Sequence, residues 1–103
     1  MDGQMLHFTS SRGTFSVAIP EVVEVCPRSE IREMPDPAPG ILGVIIKNGE
    51  AFTIRSSVGD GGDLILLLRS GRHRIGVVIT GVELEGSVRD SRPFSVADVA
   101  QGG

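Results

Sequence analysis

The stretch from Pro37 to Ser57, PAPGILGVIIKNGEAFTIRSS, constrains the fold of this chain more than any other. Two apolar runs, Ile41 to Ile46 and Ala51 to Ile54, flank Lys47-Asn48-Gly49-Glu50. Asn-Gly between apolar runs is the strongest short-range hairpin signal, because a type I′ turn needs positive φ at both central residues. A two-residue turn at Asn48-Gly49 predicts the register. Lys47 faces Glu50, Ile46 faces Ala51, Ile45 faces Phe52, Val44 faces Thr53 and Gly43 faces Ile54. One face carries Ile41, Gly43, Ile45, Phe52 and Ile54. The other carries Leu42, Val44, Ile46, Ala51, Thr53 and Arg55. Both faces are apolar near the turn, which predicts cover on both sides. Gly43 stands out, since a glycine inside a strand marks a bulge, packing relief for its neighbours, or close approach by another backbone.

At 103 residues the chain has room for one domain with one modest core. Fourteen glycines and six prolines imply many turns and little room for long helices. With four Phe and no Tyr or Trp, the core must be built from Val, Ile and Leu. The formal net charge of −3 argues against a nucleic-acid partner. The single Cys26 excludes an internal disulfide and fits a reducing compartment. Met1 opens no basic-then-apolar signal pattern, and no stretch approaches the roughly 20 apolar residues of a membrane span. The expectation is a soluble, cytoplasmic protein without membrane insertion.

Met5 to Ser10 reads as a strand, and Thr14 to Ile19 alternates as a half-buried partner across a Ser11-Arg12-Gly13 turn. Pro20 to Val23 reads as one helical turn relaxing into a short strand at Glu24-Val25-Cys26. Four prolines between Pro27 and Gly40 predict an extended surface segment, anchored by Ile31 and Met34. Leu64 to Leu68 is a continuous apolar run, as in a strand buried on both faces. Ile75, Val77 and Ile79 alternate with Gly76, Val78 and Thr80 after the Ser70-Gly71-Arg72 turn. The phase slips at Gly81, which predicts a bulge there. From Gly86 onward the pattern fades, with one short turn at Val96 to Val99. About six or seven short strands at regular spacing predict an all-β barrel or sandwich.

No constellation for catalysis emerges from the residues. His7 and His73 are the only histidines, and one cysteine cannot make a Cys-rich zinc site. Cys26 reads as a small buried thiol. Gly59-Asp60-Gly61-Gly62 lacks the lysine and the helix of a phosphate loop, and Asp60 with Asp63 offers too few oxygens for calcium. The expectation is no enzyme, no cofactor and no metal. Arg69, Arg72, His73 and Arg74 cluster around one turn, either as a solvated turn or as a docking patch for an acidic partner.

The strings FTSSRGTFSVAIPEVVEV, IREMPDPAPGILGVIIKNG and DLILLLRSGRHRIGVVITGV, in that order, resemble the CheW-like domain. Val22-Val23-Glu24-Val25, Gly43 to Gly49 and Ile79-Thr80-Gly81-Val82 fall at similar spacing to the family's motifs. The resemblance covers about residues 5–88 of one domain spanning 1–103, and leaves 89–103 as an irregular tail. It implies an SH3-like β-barrel fold with the second barrel incomplete, and an adaptor that joins bacterial chemoreceptors to the histidine kinase CheA. Carried over by position, it places receptor binding at Val22, Glu24, Gly43 and Asn48. The implied partners are a chemoreceptor cytoplasmic helix tip and a CheA-like kinase regulatory domain, with recruitment to membrane receptor arrays. Asn48 stands where the family's arginine is usual, Thr53 and Ser56 where Pro and Asp are usual, and Thr80 where an acid is usual. The alternative is a stand-alone β-barrel interaction module outside chemotaxis. The short C-terminal end predicts an open strand edge and a homo-oligomer formed through it.

Overall fold

The computed structural model describes residues 4–83 and 91–102. Its elements in chain order are β1 (Met5–Ser10), β2 (Gly13–Ala18), a 3-10 turn (Ile19–Glu21) and β3 (Val22–Pro27). A second 3-10 turn (Arg28–Glu30), β4 (Ile41–Lys47), β5 (Glu50–Arg55), β6 (Leu64–Ser70) and β7 (His73–Ile79) follow. The last are β8 (Gly81–Glu83), β9 (Arg92–Pro93) and α1 (Val96–Gly102). They form a four-stranded sheet, β8-β1-β2-β9, and a five-stranded sheet, β3-β6-β7-β5-β4.

The central hairpin has the register its turn dictates. Lys47 pairs with Glu50, Ile46 with Ala51, Ile45 with Phe52, Val44 with Thr53 and Gly43 with Ile54. Asn48 has φ 52° and Gly49 φ 81°, the positive values a type I′ turn requires. One face is buried as expected: Ile45, Phe52 and Ile54 are at most 1% exposed. The cover expected on the other face is missing, since Ile46 is 48% exposed and Ala51 also faces out. β4 lies at the edge of its sheet, where outward side chains have no layer above them.

Strand β6 is buried on both sides, with Ile65, Leu66, Leu67 and Leu68 all at 0% exposure. Alternation sends them into two different cores. Leu66 and Leu68 join Leu6, Phe8, Val17, Val58, Ile75, Val77, Ile79 and Val96 in the first. Ile65 and Leu67 join Cys26, Ile45, Phe52, Ile54 and Val78 in the second. β7 pairs with β6 throughout and divides its side chains the same way. The β6–β7 hairpin is therefore a partition between two β cores.

At Gly81 the expected bulge is replaced by a change of sheet. β7 ends at Ile79, Thr80 N–H donates to Thr9 C=O at 2.8 Å, and β8 pairs with β1 in the other sheet. A change of sheet shifts the alternation just as an inserted residue does. The continuation expected through Leu84 lies outside the described residues. The tail expected to be irregular contains β9, paired in parallel with β2, and α1. Phe94, Val96 and Val99 pack on the first core, and Phe94 sits edge-on to Phe8 at 5.8 Å. Val96 to Ala100 are few apolar residues, but their one-turn spacing is enough for a seven-residue cap on a core. Among the described residues no helix is long and apolar enough to cross a membrane.

Replacing Asn48-Gly49 by Ala-Ala forces two alanines to positive φ. Chemical denaturation should show a loss of about 1–3 kcal/mol, and an unchanged midpoint would contradict the turn.

Candidate functional site

Glu24 and Asn48 belong to the two edge strands of the five-stranded sheet and the turn beyond one of them, and Lys47 ties those edges together. Its ammonium lies 3.2 Å from a Glu24 carboxylate oxygen and 2.9 Å from one of Glu30. Lys47 occupies the core-facing register of β4, in line with Ile45 and Gly43, so its charge must find partners beyond the core's rim. Hydrogen bonds to Glu30 first and Glu24 second push the Lys47 pKa up to about 12. Deeper along the same seam, Arg32 N–H donates to Val44 C=O at 2.8 Å and Val44 N–H to Arg32 C=O at 3.0 Å. The Pro-rich segment thus straps β4, while no hydrogen-bonded ladder joins β3 to β4.

This strap explains Gly43. The place a Cβ would take lies 2.5 Å from Arg32 O and 2.5 Å from Ile31 Cγ2, and φ is 151°. The backbone that approaches Gly43 is the chain's own, and Gly43 is buried. It shapes the seam instead of presenting a surface.

Val22 and Glu24 are separated by a bulge in β3. Val22 pairs with Leu68 and Glu24 with Leu67, with Val23 as the extra residue. Residues two apart in a regular strand share a face, but here Val22 packs on the first core while Glu24 turns to the seam beside the second. Of the four positions taken from the resemblance, the structure brings Glu24 to Lys47, the chain neighbour of the exposed Asn48. It sends Val22 and Gly43 inward. Asn48 has a reason of its own to be asparagine, since its φ of 52° is one that Asn tolerates and a long side chain resists. Lys47 and Glu30 complete this cluster around Glu24, and motif reasoning missed them. The signal was available: Lys47 is the chain's only lysine, and it falls on the apolar face of a hairpin.

The arginine cluster divides. Arg69 and Arg74 are directly opposed across β6 and β7, and Arg69 is paired with Glu50 in an ion pair. Arg74 Nε donates to Ala51 C=O at 3.4 Å, and Arg72 lies exposed in the turn. Among the described residues no group of three or more His, Cys, Asp or Glu side chains is placed to hold a metal.

No family model and no curated protein matches the chain. Among solved structures it is similar to the scaffolding protein TtCheW from Thermoanaerobacter tengcongensis, with a TM-score of 0.66 and 18% identity. The likeness covers 82% of this chain and 64% of that one, so this chain spans about two thirds of the scaffolding protein's length. At that identity the likeness establishes the fold, which is CheW-like.

Gly43→Ala should cost about 2–4 kcal/mol, from a strained φ together with a clash against backbone, as read by denaturant titration. A stability within error of the parent would remove the strap from this account. Alkaline pH should also weaken the fold. Burial first, then the Glu30 carboxylate, raises the Cys26 thiol pKa above 9.0, so the unfolded thiol ionises before the folded one. Stability should fall as pH rises from about 9, and further above 10.5 as the Lys47 pairing is lost. Thermal melts of Cys26→Ala should lack the first decline and keep the second.

Proposed function

We propose that this chain is a non-catalytic adaptor of the chemotaxis type, coupling a receptor to a CheA-like histidine kinase in a two-component pathway. The observation that carries the reading is the fold: two β cores on one shared hairpin, in a chain whose fold is similar to that of a scaffolding protein of known structure. An adaptor needs two surfaces held in fixed relation, and a partition common to both cores supplies that rigidity. The receptor-facing surface in this reading is the seam end of the five-stranded sheet, with Glu24 and Asn48 outward and Lys47 between them. Val22 and Gly43 contribute by placing Glu24 and the strap. The receptor element is a helical tip, and the assembly forms at the cytoplasmic face of a receptor array.

Isothermal titration against a CheA-like regulatory domain and, separately, a receptor helical-hairpin tip tests the reading. Both should bind, and Glu24→Lys should weaken receptor binding by about tenfold, roughly 1.4 kcal/mol, while leaving kinase binding unchanged. Binding to neither partner overturns it.

A second reading, self-assembly through a strand edge, draws support from β4 and β8. Ile46 and Val82, on these edge strands, are 48% and 41% exposed. An edge with apolar side chains is a template for another strand. Sedimentation equilibrium at micromolar concentration separates the readings: a dimer that Ile46→Lys abolishes supports this one, and a monomer excludes it.

A further inference from the structure

Two depressions adjoin along α1, and Arg55 lines both. One, of about 410 Å³, is also lined by Arg12, Ser56, Ser57 and Val99. The other, of about 270 Å³, is also lined by Thr53, Arg72, His73, Arg74 and Ala100. Every charged side chain lining the two among the described residues is basic. That is unexpected in a chain with 13 acidic groups against ten Lys and Arg. A concave surface lined by one sign of charge focuses its field and raises the local concentration of counter-ions.

Arg55 is the centre of this groove. Its Nη2 donates to Ala100 C=O at 3.3 Å, which fixes the guanidinium against the last turn of α1. Its Nε is buried and has no hydrogen-bond partner among the described residues. A buried donor without an acceptor is costly, and a ligand oxygen would relieve that cost. Arg12, at the far end, donates from its guanidinium to Ser57 C=O at 3.5 Å, its one side-chain hydrogen bond among the described residues. Arg69 shares a sheet face with its cross-strand neighbour Arg74, but it already has its counter-ion in Glu50 and lines neither depression.

We infer that this groove binds an extended acidic peptide segment, with carboxylates on Arg55 and on the Arg72–Arg74 turn. Charge complementarity selects an acidic occupant, and guanidinium forks suit carboxylates in particular. Size selects a chain over a small ion: each depression is several times larger than one carboxylate or phosphate group, and the basic groups follow one another along the helix. The site is distinct from the Glu24–Lys47 seam, so it stands or falls apart from receptor coupling.

Fluorescence anisotropy of a fluorescein-labelled hexaglutamate peptide tests the inference on the full chain. The peptide should bind at low ionic strength, and added salt should weaken it. Arg72→Glu with Arg74→Glu, both at exposed positions, should weaken binding by about tenfold or more. Arg32→Glu, at an exposed position that lines neither depression, should leave it within about twofold. In NMR spectra the Arg55 Nε–H resonance should shift on peptide addition. Equal loss in the Arg32 variant, an unmoved Arg55 resonance in the bound state, or tighter binding of inorganic phosphate or a single-stranded oligonucleotide would each overturn the assignment. So would failure of the peptide to bind the unaltered chain.

Discussion

A β-strand has two faces, and the middle of β6, Ile65 to Leu68, buries both of them completely. Full burial of one Leu or Ile contributes about 1.5–3 kcal/mol, and four such residues stand in a row. Neither core exists without this strand, because each takes alternate residues from it. The rest of the architecture follows from that sharing. The four-stranded sheet covers one face of the β6–β7 hairpin, and β5, β4 and β3 complete the sheet around the other. β7 then leaves its sheet at Thr80 so that β8 can pair with β1, which links the two cores covalently and through hydrogen bonds.

Where short-range chemistry decides, the sequence was legible. Asn48-Gly49 set a register that the structure reproduces from Lys47–Glu50 to Gly43–Ile54, as far as an irregularity at Leu42 that turns this side chain to the second core, and the run Leu64 to Leu68 announced a doubly buried strand. The CheW-like fold followed from the order of loosely matching motifs. What escaped depends on contacts between segments far apart in the chain. Gly81 read as a bulge because a change of sheet and an inserted residue shift the alternation identically. Ile46 read as covered because its own hairpin cannot reveal that β4 lies at an edge. The tail read as irregular because three apolar residues on one helical turn are a weak signal until a core is there to receive them.

The candidate site shows the same division. Glu24 and Asn48 could be named by position, but the β3 bulge that turns Val22 away from Glu24 leaves no mark in the pattern Val-Val-Glu-Val. Gly43 stood out as a bulge, packing relief or a close approach of backbone, and only the three-dimensional path of Ile31 and Arg32 shows which it is and whose backbone approaches. Ion pairs at an exposed seam contribute little net stability. Their role here is directional: Lys47 holds two carboxylates at the end of a sheet whose edges share no ladder.

Placing the partition so late in the chain has a consequence for synthesis. Residues 64–79 leave the ribosome after β1 to β5 are complete, so five strands emerge before the surface they pack on exists. The two local hairpins can form early, since their contacts are near in sequence. The parallel pairing of β5 with β7 and the closing of β8 on β1 must wait, and such non-local contacts are the slow ones. Until then the apolar faces of Phe8, Ile45 and Phe52 are open to other chains, a window in which a nascent chain is prone to aggregate. The hairpin that unites the finished protein thus also sets the order in which it can be assembled.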